Sequence, residues 1–450
     1  MEPSIHRKKL ALLAYPVYFE LLAGVIAGIV DTIWVARLGE HAVAAVAVAT
    51  NFENVLLGII LMVSSGSTVL ISVYLGKKDI QGVKNVVKGS WILWGILAPV
   101  IAVSGFFLRE PIASLFIDKN DGQTLKLAVD FFQISFPGVL VFFAQNISDS
   151  FFKGDSNTRF PMKMAIVANI CILVLDPLFI YGLLGVPRLG VQGAAIATLL
   201  GRMITLAISL FYLGRSRLIQ MSRAVHTTGK AFATINQILN FGLPMSGDFI
   251  LRMVGNMILI GLIGSFGVAN LAGYGIGSKI LVFVTMSFYA IRQASSIYTA
   301  RCIGTGHKNE IHSIGRQSLF LGFCLAAFAS AILALFATQL ISLFIADSSV
   351  IAAGTLYLHY MCIYLLALTC VISLGGVFQG AGKSRLLLYV TIIGISIQII
   401  IAYGLSFFSS LHVAGIWIAI IVGTLIQAIA VIFLFSSRAS FQGFIVDPAH

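Results

Sequence analysis

Charge is scarce in this chain, and acid is scarcer than base. Only 10% of the 450 residues are charged, and 17 Asp and Glu stand against 29 Lys and Arg. No segment is polar enough and long enough to fold as a water-soluble domain, so the net charge of +12 has no nucleic-acid-binding module to belong to. The five cysteines, Cys171, Cys302, Cys324, Cys362 and Cys370, are odd in number and form no CxxC pair, which argues against a disulfide framework or a zinc site and leaves them as packing residues. HExxH, GxSxG and any plausibly spaced His/Asp/Ser set are absent, so the chain carries no hydrolase signature. Gln379 to Ser384 ends like a phosphate-binding loop, but Val377 stands where its first glycine belongs and no strand precedes it. Gly273, Gly275 and Gly277 mimic a dinucleotide fingerprint inside an apolar run, where close helix packing is the better reading.

What fills the chain instead is apolar. Hydrophobic residues make up 58% and the mean hydropathy is +0.98, far outside the soluble range. Runs long enough to cross a hydrocarbon core of ~30 Å cover 10–36, 46–75, 90–108, 127–152, 162–184 and 190–213, then 236–264, 271–300, 317–345, 352–378, 386–408 and 412–436. They are continuous, without the period-two alternation of a membrane barrel. The first is too long for a signal peptide and carries Glu20 and Asp31. The fold expected is an all-α polytopic membrane protein.

The chain is also written twice. One offset sets Pro16 on Pro244, Glu20 on Asp248, Gly39 on Gly267, Gly76 on Gly304, and Ser114 to Ile117 on Ser342 to Ile345. A slightly smaller one sets Gly154 on Gly380, and a smaller one again sets Gly182, Gly193 and Gly201 on Gly404, Gly415 and Gly423. Twelve spans therefore divide into two six-helix bundles, 1–213 and 236–450, joined by a basic linker at 214–235. Six is even, so the repeats are parallel. With the N-terminus inside, most Lys and Arg face the cytoplasm, among them Lys8, Lys77, Lys153, Arg215 and Arg301, and only Arg37, Arg109, Lys119, Lys126 and Arg188 fall outside. That bias makes both ends cytoplasmic and accounts for the positive charge.

Charges left within the spans are costly unless they meet a partner or a wet cavity, and are candidates for function. The acids are Glu20, Asp31, Glu53, Asp149, Asp176 and Asp248; the bases are Arg202, Arg252, Lys279 and Arg292. Acids predominate there in an otherwise basic protein, which favours cationic cargo. Asp248 and Arg252 are four apart on one helix and can neutralise each other. Asp31 and Asp176 lie at similar depth in the outer half of the N-terminal bundle. Two carboxylates facing one poorly hydrated cavity resist being ionised together, and such a pair suits a proton-coupled carrier. Pro177 withdraws a hydrogen bond from the Leu173 carbonyl beside Asp176. Asn169 and Thr198 complete the expected polar patch, with Asn146, Asp149, Glu53 and Asp248 as a second tier. A purely structural bond between helices through Asp31 and Asp176 stays open.

The run Val30 to Gly39, the loop Gly154 to Arg159, the stretch Leu175 to Gly182, the segment Gly190 to Thr198, and Gly242-Leu243-Pro244 with Gln379 to Gly382 resemble the multidrug and toxic compound extrusion (MATE) family. The resemblance spans essentially the whole chain. It implies two bundles forming a V, export of small organic cations by alternating access, no cofactor, and energy from a proton or sodium gradient. It further implies a monomer in the plasma (inner) membrane of a cell. In the NorM type the acids sit on helices 7 and 10; here the corresponding positions are Met253 and about Leu368, neither acidic. The DinF-like branch uses helices 1 and 5, which Asp31 and Asp176 match. That branch often places Asn one turn before the second Asp, where this chain has Ile172; losing that oxygen disfavours sodium and tilts the expectation toward protons. Two other classes stay open. A lipid-linked oligosaccharide flippase shares the architecture but lines its cavity with Arg and Lys. A membrane enzyme acting on lipids would need a nucleophile or metal set that is not found.

Overall fold

The computed structural model describes residues 3–117, 121–185, 187–216, 231–437 and 441. Twelve long helices account for nearly all of them: α1 (Pro3–Ala36), α2 (Glu40–Gly76), α3 (Ile80–Ser114), α4 (Gly122–Gly154), α5 (Arg159–Tyr181), α6 (Val191–Arg215), α7 (Ala231–Gly264), α8 (Val268–Gly304), α9 (Ile311–Ser342), α10 (Ser348–Gly380), α11 (Ser384–Phe407) and α12 (Val413–Ser436). All twelve are long and apolar enough to cross a membrane, and no strand occurs among the described residues. At about 1.5 Å per residue, the 34 residues of α1 reach roughly 50 Å, beyond the hydrocarbon on at least one side. Most of the 214–235 linker lies outside the described residues.

Local chemistry sets the ends. Asp121 caps α4 by accepting from the Thr124 N–H at 3.1 Å, and Asp347 caps α10 by accepting from the Ser349 and Val350 N–H groups at 2.8 and 3.3 Å. Gly39 and Gly267 open α2 and α8 at φ of 111° and 108°, a region closed to residues with a Cβ. The same landmark thus recurs in both repeats. So does a hydroxyl bridge: Ser67 meets Ser90 at 2.7 Å between α2 and α3, and Ser295 meets Ser318 at 2.7 Å between α8 and α9.

The chain forms two compact units, one of Phe19–Gly242 and one of Met1–Tyr18 with Leu243–His450. In the first, α2 and α3 pack on α4, and α6 packs on both α4 and α5. Phe52, Phe132 and Phe136 pack together in its core with ring centroids 5.1 to 5.7 Å apart, Phe52 edge-to-face against the other two. In the second, α10 is the central helix, packed against α8, α9 and α12, while α11 pairs with α12. Lipid is as apolar as leucine, so these helices associate through close packing rather than through hydrophobic burial. Gly273, Gly277, Gly376 and Gly380 supply it, each lying so near the facing helix that an added Cβ would fall within 2.1 to 2.6 Å of α8 or α10 atoms. Gly275, between two of them, faces open space. The close-packing reading therefore holds for Gly273 and Gly277 and not for Gly275, which lies about 160–200° around the helix from its neighbours.

The start of α1 is anchored within the second unit. His6 is fully buried, with Nδ1 2.8 Å from the Tyr298 hydroxyl of α8. Arg7 donates to Gln317 of α9 at 3.1 Å and covers the Phe320 ring at 4.2 Å.

Candidate functional site

One face from each of five helices in the Phe19–Gly242 unit encloses a cavity of about 510 Å³. From α1 come Gly24, Ala27, Gly28, Asp31 and Val35, which the helical period places in one stripe. Its first turns are small, so room opens beside Asp31. The α5 stripe is Ala168, Asn169 and Ile172; the α6 stripe is Ala195, Thr198, Leu199 and Arg202. Helix α2 contributes Thr50, Asn51 and Glu53, and α4 contributes Ser135, Gly138 and Phe142.

Asp31 occupies the α1 wall, within electrostatic reach of Glu53 and of Asp176. Asp176 is 1% exposed, one turn beyond Ile172 on α5. One carboxylate oxygen of Asp31, one of Asp176 and the Asn169 amide nitrogen are buried with no hydrogen-bond partner among the described residues. Buried polar groups are nearly always satisfied, so three unpaired ones gathered beside one cavity make it the candidate site for a ligand or an ion. Thr32 also lines the cavity, but its hydroxyl turns back to donate to the Gly28 carbonyl at 2.7 Å. Glu53 accepts from the Ser135 hydroxyl, and the Arg202 guanidinium lies 4.1 Å over the Phe142 ring.

The residues singled out from sequence thus divide. Asp31, Asn169, Thr198 and Glu53 line the cavity, with Asp176 close behind. Asn146 does not; its amide donates to the Phe142 carbonyl of its own helix at 2.8 Å. Asp149 accepts from Gln145 at 3.0 Å and stands near the Lys153–Glu20 ion pair, whose N–O distance is 2.7 Å. Asp248 belongs to the other unit. Arg252 and Arg292 each approach it at 3.1 Å, and the Thr391 hydroxyl donates to it at 2.6 Å. It is 3% exposed and fully paired, the neutralising arrangement its spacing from Arg252 suggests, extended by a second arginine. Arg202, named from sequence only as an intramembrane charge, and Ser135, not named at all, also line the cavity, and the spacing of Arg202 from Thr198 puts both on one face of α6. All five cysteines are free, and no group of His, Cys, Asp or Glu that could hold a metal occurs among the described residues.

The cavity brings charged and amide side chains together among helices long and apolar enough to cross a membrane. A family model described as MatE matches residues 16–178 and again 244–404, once in each repeat, and the chain belongs to that family. Its members are transporters rather than enzymes, and this is a multi-pass membrane protein. It is 25% identical over 387 residues to the probable multidrug resistance protein YpnP of Bacillus subtilis, covering 86% of this chain and 85% of that one. With the probable multidrug resistance protein NorM of Thermotoga maritima it shares 23% identity over 432 residues, 96% and 92% of the two chains. The fold superimposes on a variant of the Vibrio cholerae MATE transporter VcmN with a TM-score of 0.89 at 21% identity, over 98% and 99% of the chains.

Proposed function

We propose that this chain is a proton-coupled exporter of small organic cations, of the DinF-like branch. The observation that carries the reading is the cavity itself: Asp31 and Asp176 in mutual electrostatic reach, with unpaired carboxylate oxygens and an unpaired Asn169 amide in a bundle otherwise apolar. The names of YpnP and NorM, each a probable multidrug resistance protein, point the same way. In this reading the protein is a monomer in the inner membrane with both termini cytoplasmic, and the bundles 1–213 and 236–450 alternate access about the 214–235 linker. Ionised Asp31, with Glu53 and Asp176 nearby, attracts the cation. A proton from outside then removes the carboxylate charge, the cation leaves, and release of that proton to the cytoplasm resets the site. Proton and cargo must act on the same groups, because a ligand shifts a conformational equilibrium only by its differential affinity for the two states.

The test uses proteoliposomes, a fluorescent organic cation, and pH and sodium gradients imposed separately. Export should start on acidifying the receiving side in sodium-free buffer and stop when the pH gradient alone is dissipated. Asp31→Asn should insert at normal abundance yet lose gradient-driven export, since an amide cannot exchange a proton. Export by Asp31→Asn at the wild-type rate would refute the role of Asp31. Export that ignores pH and collapses with the sodium gradient would make sodium the coupling ion.

A further inference from the structure

Arg202 is a cation placed in a cavity whose other charges are acids. Its guanidinium carbon lies over the Phe142 ring, 4.1 Å from the centroid, a cation–π contact that holds the group while satisfying none of its N–H donors. None of its N–H groups has a hydrogen-bond acceptor among the described residues, and no carboxylate comes within ion-pair distance of it there. Glu53 acts on it only across a longer gap, with one oxygen given to Ser135. A guanidinium within a bundle is costly unless something accepts its five donors, and a planar carboxylate does so with two parallel bonds. Meanwhile Asp31 waits on a different wall, formed by α1. The cavity is therefore dipolar: acid on α1 and α2, base on α6.

The geometry points to Arg202 as the anion-binding arm of the cargo site, and to zwitterions carrying both an amine-type cation and a carboxylate as the preferred cargo class. This deepens the exporter reading and rests on it for the role of Asp31. Arg202 would grip the carboxylate edge-on while Asp31 and Glu53 hold the cation across the cavity. A volume of about 510 Å³ accommodates an organic molecule large enough to span them.

The test compares rhodamine B, a zwitterion at neutral pH, with its ethyl ester, which keeps the cation and lacks the carboxylate. Binding to the purified full-length protein is read by fluorescence anisotropy, and export by proteoliposome efflux. The wild type should bind the acid more tightly than the ester. Arg202→Met should lower the ratio of acid to ester affinity about tenfold or more, and Arg202→Lys, which keeps charge without the fork, should restore part of it. If Arg202 only offsets Glu53, Arg202→Met leaves binding of the acid unchanged and tightens the cationic ester by relieving like-charge repulsion; a ratio that moves through the ester alone, or not at all, overturns the proposal. A wild type that binds the ester as tightly as the acid overturns it with no variant at all. The two readings fail separately: a shifted binding ratio with no export of either dye removes the exporter reading alone, and export of both dyes with an unshifted ratio removes this one alone.

Discussion

Replacing Asp248 by alanine would strand two guanidinium groups in the middle of the second unit. The carboxylate is 3% exposed and receives Arg252 and Arg292 at 3.1 Å and Thr391 at 2.6 Å. The cluster carries one net positive charge, and the substitution makes it two. Removing one partner of a buried ion pair typically costs about 3–5 kcal/mol. Membrane proteins soften such losses, because the unfolded chain in a micelle also finds partners; at about 0.6 kcal/mol per interhelical bond, the two bonds from Arg292 and Thr391 give roughly 1. The expected destabilisation of Asp248→Ala is therefore about 1–5 kcal/mol, with Asp248→Asn milder because its amide oxygen still accepts. Reversible SDS-induced unfolding in mixed micelles measures it. Arg252→Met added to Asp248→Ala returns the cluster to one net positive charge and should recover part of the loss, which a simple packing defect would not. Refutation would come from Asp248→Ala within about 0.5 kcal/mol of wild type with export abolished, for then Asp248 is working in transport and the functional acid lies in the wrong unit.

Two further substitutions read the helix packing and the caps. Gly376→Ala would drive a Cβ to 2.1 Å from the Arg292 carbonyl oxygen on α8, a backbone contact that cannot swing aside, and should cost about 1–3 kcal/mol of stability. Gly275→Ala, facing open space, should instead be neutral or gain a few tenths to about 1 kcal/mol from helix propensity; equal losses at both positions in the same unfolding assay would contradict the packing assigned to this interface. Hydrogen bonds from the Ser349 hydroxyl and from the Ser349 and Val350 N–H groups hold the Asp347 carboxyl below its usual range. A lowered folded-state pKa means the stabilisation is fully present above the ordinary value near ~4 and fades as pH falls through the folded value. The gap in thermal stability between wild type and Asp347→Ala should therefore be level above about pH 5 and shrink below about pH 4; a gap that widens on acidification would reverse the sign.

Much of the architecture was readable because lipid imposes it. Twelve long apolar runs can satisfy their backbone only as helices, and the paired landmarks around Gly39 and Gly267 announced the repeat that the two serine bridges then display. Depth in the membrane was readable too, since it follows from rise per residue. What composition and spacing leave open is rotation about each helix axis relative to its neighbours. Asp31, Asn169 and Thr198 turn toward the cavity, while Asn146, only four residues beyond the lining residue Phe142, spends its amide on its own helix. Arg202 was visible as an intramembrane charge, but the ring that holds it comes from α4, a helix distant in sequence. The unpaired state of the Asp31 and Asp176 oxygens likewise depends on partners that three-dimensional packing withholds.

The docking of His6 onto Tyr298 carries a consequence for how the protein is made. These two residues are 292 apart in the chain, and both are buried. A ribosome adding about 5–20 residues per second needs roughly 15–60 s between them. For that interval the turns around His6 already exist, yet the hydroxyl that receives His6 has not been synthesised. The segment around His6 is thus translated well before the site that receives it, and until Tyr298 is in place the His6 imidazole and the Arg7 beside it need other company, from lipid headgroups, water or the insertion machinery.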